Sequence, residues 1–423
     1  MYTTKRHILS YIKGILSLAI TFLYLGTQQV HAEITIDDLI NPDEPYPIST
    51  AEEFAEAFDV YNNEHTLKIF CITISNDIDM NDLSNDWIFS PITYAQPIQI
   101  VCEGNGHTIK NLTFESEGIY TGLFPILAKG SRITDITFEN IDATLNGRSY
   151  SGALTSYVSG DAIISNCSIF GKVSYLPSTN SVTLGGVIGT IGPNAKGSST
   201  INNIITDLKY EISGAVSVFG GVIGSCNSSG IEYSNIINKS QETLNVSSTN
   251  GAGGVIGYIF KSQSLNIHDC ENYTNIDASS ANVGGIIGNF ASEEGGGFSQ
   301  LYNCSNAGNI HSALGNVGGI VGKSYLLNIH DCVNIGNISS YEPSVGNQGD
   351  IAGVGGIVGL FKAKEIIAPN TIVYSCVNMG AVSSILPGNT AGIIGYYTSE
   401  STSYNQTGTT ASAKIFPFKK LHR

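Results

Sequence analysis

Charge is what this sequence has least of: only 13% of its 423 residues are Asp, Glu, Lys or Arg. Long solvent-exposed helices and coiled coils depend on charged faces and are thereby excluded. The basic side is the poorer, with 20 Lys and Arg against 35 Asp and Glu and a formal net charge of −15. Nucleic acid is excluded as a partner, because phosphate binding needs clustered Lys and Arg. An anionic membrane surface is disfavoured for the same reason. Tryptophan occurs once, so the aromatic signature usual in propeller blades is missing. The His-Glu-x-x-His helix of zinc peptidases is absent, and no other pattern implies a metal or a cofactor.

What abounds is glycine, at 48 residues, much of it in one recurring phrase. Gly185-Gly186-Val187-Ile188-Gly189 returns from Gly220, Gly253, Gly284, Gly318 and Gly355, and Ala391-Gly392-Ile393-Ile394-Gly395 closes the series. The second glycine steps by 35, 33, 31, 34, 37 and 36 residues. Two looser copies, at Gly122 and Gly152, precede these, which makes about nine units. A period of this size marks a solenoid, propeller or array, in which each unit contacts only its neighbours.

Residues 1–32 read as a secretory leader: Lys5, Arg6 and Lys13 begin it, Ile15 to Leu25 is apolar, and Val30-His31-Ala32 offers a small-residue cleavage site. The apolar run is shorter than the roughly 20 residues that span a bilayer, so an exported chain is expected. A lead-in follows over 33–49, then an N-terminal cap with the first coils over 50–110. Repeats occupy 111–399 and a Ser/Thr-rich tail 400–423. Thr50-Ala51-Glu52-Glu53 is a capping box. The helix it starts, about Ala51 to Tyr61, aligns Phe54, Ala57 and Phe58 on one face. The acidic stretch Asn76 to Asp82 fails as a calcium loop of the EF-hand type. Counted from Asp77, the positions that should hold Gly and Glu hold Asp82 and Ile88.

A second phrase recurs without gaps: Cys270 to Ile276, Cys304 to Ile310, Cys332 to Ile338 and Cys376 to Val382, with an earlier copy at Cys167 to Val173. Period-two alternation puts Cys, Asn, Gly or Thr, and Ile or Val on one strand face. Leu265 and Ile267 point inward out of register with Cys270, which requires a bend at His268-Asp269. With the glycine phrase, each unit holds three short strands, as in one coil of a parallel β-helix. Like residues then stack about 4.8 Å apart. A β-propeller needs four antiparallel strands in a longer blade and fits less well.

The glycine phrases resemble the GLUG repeat of bacterial surface and secreted proteins. The run from Ile48-Ser-Thr-Ala-Glu-Glu through Asn76-Asp-Ile-Asp to Gly104-Asn-Gly-His-Thr-Ile109 is similar to the opening that often precedes it. The resemblance covers roughly residues 48–397. It implies a right-handed parallel β-helix of the pectate-lyase-like type with adhesion-like surface roles. Some relatives attach such repeats to large zinc peptidases. Ile100-Val101-Cys102-Glu103 departs from the pattern, where an aromatic, Gly and Asp are commoner.

Because pectate-lyase-like helices can be enzymes, the acidic residues need weighing. Asp269 and Asp331 occupy equivalent positions two coils apart with Asn303 between them. Inverting glycosidases hold two carboxyls about 6.5–9.5 Å apart. Both aspartates nevertheless belong to a repeated turn phrase, and repetition explains them. His268 and His330, separated by a coil, make a poor zinc pair. Five cysteines (Cys167, Cys270, Cys304, Cys332 and Cys376) share the inward position and are expected to be free buried thiols, while Cys71, Cys102 and Cys226 lie outside that row and stay open. Sequons such as those at Asn111, Asn166, Asn227 and Asn238 follow from composition. The expectation is a non-catalytic surface or secreted protein contacting an extracellular glycan or a cell-surface protein. A polysaccharide lyase or glycoside hydrolase is the alternative.

Overall fold

Because each repeat carries the same alternation of β-branched and small residues, each strand finds its own copy as hydrogen-bonding neighbour. The computed structural model describes residues 33–64, 68–84, 87–176, 182–262, 264–280, 282–292, 299–342, 352–363, 373–385 and 389–399. The expected leader and tail fall outside them.

One parallel sheet contains the strand that follows every glycine phrase. It runs Phe124–Leu127, Thr155–Val158, Ile188–Ile191, Ile223–Cys226, Ile256–Ser262, Ile287–Ser292, Val321–Tyr325, Val358–Ala363 and Ile394–Ser399. A second, larger sheet bends round the other faces, and its ladders are parallel too. The chain is a right-handed parallel β-helix of about nine coils, the hand that parallel crossovers almost always take.

The coil over 299–325 shows the anatomy. It contains Ser299–Tyr302, Ser305–Asn306, Ile310–Leu314, Asn316–Gly318 and Val321–Tyr325, five segments where the repeat pattern led us to expect three. Two features make the extra corners. Asn303 takes a left-handed backbone, with φ of 52°. The buried Asn306 amide donates to the Gly308 carbonyl two residues on, at 2.8 Å, and draws the chain round. The expected parity nonetheless survives the corners: Cys304, Asn306 and Ile310 are buried, while Ala307 and Asn309 face solvent.

Two inward rows explain the two phrases together. Asn272 donates to Asn306, Asn306 to Asn334 and Asn334 to Asn378, each at 2.7 Å, so every buried amide finds a partner in the next coil. Opposite them stand the second glycines. A Cβ at Gly254, Gly285, Gly319 or Gly356 would overlap Asn272, Asn306, Asn334 or Asn378 and the carbonyl of the next glycine. The second glycine of each of these phrases is therefore the space the asparagine row needs, while the first, such as Gly253 or Gly284, packs against the backbone of its own and the next coil. Beside it, Cys270, Cys304 and Cys332 form a buried column that continues to the half-buried Cys376. In the earlier coils Ile204 and Ile236 separate this column from Cys167. All eight cysteines are free, including Cys71, Cys102 and Cys226, and burial pushes the Cys71 and Cys167 thiols up to about 12.

The helix Ala51–Asn63 closes the first coil. Thr50 Oγ1 accepts from the Glu53 amide at 3.2 Å and Glu53 accepts from the Thr50 amide at 3.1 Å, completing the box. Its apolar face plugs the solenoid end, with Phe58 against Phe70 and Phe124 at 5.1 and 5.7 Å between ring centroids. Within the expected lead-in, Tyr46–Ile48 pairs in parallel with Ile69–Ile74 as the first rung. Arg132 reaches the Pro42 carbonyl at 2.5 Å. Gln99–Glu103, where the chain departs from the repeat pattern, is a regular paired strand.

Ile310→Asp buries a carboxylate without a partner and is expected to cost on the order of 3 kcal/mol. Ser305→Asp, on the outer face, is expected to stay within about 0.5 kcal/mol. Thermal midpoints of the two variants read the difference, and equal shifts would contradict the parity. Denatured but unreduced protein is expected to titrate all eight cysteines as free thiols. A substoichiometric count would mean that the column pairs off.

Candidate functional site

The residues that chemistry singles out in the sequence lie at one outer corner. His268, Tyr302, His330 and Tyr374 occupy one outward row and stack ring on ring, with centroids 4.8, 5.1 and 4.8 Å apart. The Tyr302 ring lies between the two histidines, so they do not converge on one point. His268 Nδ1 contacts Asp269 at 2.6 Å and Nε2 contacts Glu232 at 3.2 Å, while His330 Nδ1 contacts Asp331 at 2.8 Å.

Asp269, Asn303 and Asp331 share left-handed backbone angles of 54°, 52° and 53°. Asn and Asp tolerate that region best among residues with a side chain. They continue an outer row of Asp135, Asn166, Asn203 and Asn235, in which the amides of Asn166, Asn203 and Asn235 each donate to the side chain in the preceding coil at 2.8 Å. Asn303 donates to Asp269 in the same way. The contact with His268, and then that with Asn303, holds the Asp269 carboxyl below its ordinary value. Both aspartates are thus turn residues engaged with their neighbours. Of the sequons, Asn238 is fully buried and its amide donates to Gly254.

One row was not singled out in the sequence. In the phrase Cys-x-Asn-X-Gly, the residue X differs from coil to coil. The positions line up as Phe170, Asp207, Lys239, Tyr273, Ala307, Ile335 and Met379. Its backbone is fixed: the amides of Ala307, Ile335 and Met379 donate to the carbonyls of Asn272, Asn306 and Asn334 at 2.8 Å. Its side chains protrude, Tyr273, Ile335 and Met379 being 47%, 54% and 63% exposed, large values for apolar groups. Half-buried Ser305, Val333 and Val377 flank the row on one side. On the other side runs a polar turn row in which Asn275 and Asn309 accept from the amides of Asn309 and Asn337 at 2.8 and 2.9 Å. The signal in the sequence was variation at a single position of an otherwise constant phrase.

At its N-terminal end the row opens into a depression of about 430 Å³ lined by Asn140, Phe170, Asp207, Lys209, Gln241 and Glu242, among others. A bulge creates it on one side, where Glu139 and Asn140 together oppose Phe170. The insertion at 239–243, between the strands Glu232–Asn238 and Leu244–Gly253, raises the other side. Lys209 lies 3.5 Å from Glu242 and 3.8 Å from Glu211, and Lys172 lies 3.1 Å from Glu211. At this exposure such pairs fix orientation more than they stabilise.

Among the described residues no helix is long and apolar enough to cross a membrane. The fold and this corner define a parallel β-helix with one varied, exposed row on a constant frame. No protein-family profile and no curated protein matches the chain. Among solved structures it is similar to a Bacteroides ovatus protein described as a "putative immunoglobulin A1 protease". The two are 20% identical over 85% of each chain, with a TM-score of 0.45. A likeness of that degree says nothing about activity.

The carboxyls of Asp77, Asp79 and Asp269 are held below their ordinary values, chiefly by hydrogen bonds from the Thr108 amide, Asn111 and His268 respectively. The folded chain therefore binds fewer protons than the unfolded chain in the acid range. The stabilisation is complete above the unfolded carboxylate value of about 4 and is lost as pH falls through the depressed folded values. The melting midpoint is expected to drop below about pH 4, and a midpoint that rises on acidification would contradict the hydrogen-bond assignments.

Proposed function

We propose that the protein is an exported, non-catalytic interaction protein of the GLUG-repeat kind, binding an extended ligand along the varied outer row. An extracellular glycan or a cell-surface protein is the partner class. The observation that carries this reading is the row itself: one exposed, chemically distinct side chain per coil on a backbone fixed by its neighbours. Loops and outward positions on a rigid scaffold are where binding residues concentrate. Contacts spaced by about 4.8 Å suit a chain-like ligand, and several weak contacts add up to avidity. The polysaccharide-cleaving alternative would use Asp269 and Asp331, whose side chains are already engaged in their turns.

Binding of the secreted chain to a glycan array and to cultured cells tests the reading, beside a screen for reducing-sugar release. Tyr273→Ala, Ile335→Ser and Met379→Ser are each expected to weaken binding a few-fold, and the triple variant by about 100-fold or more, as contacts worth roughly 1 kcal/mol each would compound. Complete loss from one of these substitutions with the fold intact would contradict a distributed site. Sugar release abolished by Asp331→Asn would replace the reading with the enzymatic one.

A further inference from the structure

The geometry points to the depression at Phe170 as a subsite for one ring of a neutral saccharide. The inference rests on the reading that ligands lie along the varied row, and it names the ligand chemistry at one end of it. The depression is built by two irregularities the later coils lack, the bulge at Asn140 and the insertion at 239–243. It is a shallow depression open to solvent, with a volume of about 430 Å³.

Its lining combines what a sugar ring requires. Phe170 is half-buried on the outer side of its strand, an apolar aromatic surface for the C–H face of a pyranose. Around it stand two amides, Asn140 and Gln241, and two carboxylates, Asp207 and Glu242, all solvent-exposed. Asn140 donates one N–H to Asn111 at 2.6 Å and Gln241 one to the Lys239 carbonyl at 2.8 Å, which leaves each amide its carbonyl oxygen and a second N–H. Carboxylates accept from two neighbouring hydroxyls at once, and an amide both donates and accepts. Lys209, bridged to Glu242 at 3.5 Å, holds that carboxylate in place and offers a donor. Asp207 and Glu242 outnumber Lys209 in the lining, so a uronic acid would meet net repulsion while an uncharged sugar would not. This preference is the reverse of the one expected of a pectate-cleaving groove.

The test uses the full secreted chain and saturation-transfer NMR with four probes of equal length: tetramers of β-1,4-glucose, β-1,4-N-acetylglucosamine, α-1,6-mannose and α-1,4-galacturonate. At least one neutral tetramer is expected to bind, and galacturonate to bind at least tenfold more weakly. Phe170→Ala should weaken the neutral ligand by tenfold or more. Because Phe170 is half-buried, the exposed double variant Asp207→Asn/Glu242→Gln gives a second reading and should weaken it by a similar factor with an unchanged melting midpoint. Binding of no neutral tetramer, preference for galacturonate, or neutral binding insensitive to both depression variants would each overturn the subsite. If the depression variants have no effect while the Tyr273, Ile335 and Met379 variants still weaken array or cell binding, the subsite alone fails and the extended-row reading stands. If those variants also leave array and cell binding unchanged, both fail.

Discussion

In-register stacking of parallel strands governs this molecule. Each residue lies on its counterpart about 4.8 Å away, so any side chain placed inside must be satisfied by a copy of itself or of something like it. Aliphatic residues meet the condition trivially, as Ile276, Ile310 and Ile338 do. A buried amide is met by the amide of the next coil, and so Asn272, Asn306, Asn334 and Asn378 come as a set. The same stacking forces the second glycines, since the asparagine row leaves no room opposite for a Cβ. The two sequence phrases are two halves of one packing solution.

That solution separates frame from surface by strand parity. Inward positions are constrained by the coils above and below, while position X is constrained only in its backbone. Chemical variety can therefore accumulate at Phe170, Asp207, Lys239, Tyr273, Ile335 and Met379 at little cost to stability, because surface changes are usually worth less than about 0.5 kcal/mol. The left-handed turn row shows the opposite case. Asp269, Asn303 and Asp331 face outward and carry chemically capable groups, yet backbone angle and neighbouring contacts commit them to the turn.

Local pattern carries a good part of this fold. The glycine period marks the coils, the Cys-x-Asn phrase sets which side of each strand is buried, and Thr50 with Glu53 marks the start of the only helix of length among the described residues. The corners at Asn303 and Gly308 were harder to read, because a left-handed residue and an amide-to-carbonyl bond divide a strand without disturbing its alternation. The outer site was the least visible. Tyr302 stands between His268 and His330 only because it belongs to the intervening coil. Phe170, Asp207 and Glu242 likewise belong to three different coils and meet through a bulge and an insertion that leave no periodic mark.

The direction of the inter-coil hydrogen bonds has a mechanical consequence. They run along the solenoid axis, so tension between the two ends loads them one coil after another rather than all together. A coil of 31 to 37 residues that rises about 4.8 Å when folded extends to roughly 100–130 Å once pulled out, at ~3.3–3.6 Å per residue. A solenoid of this build yields in steps and lengthens more than twentyfold per coil released, while the coils still folded keep their surface rows intact.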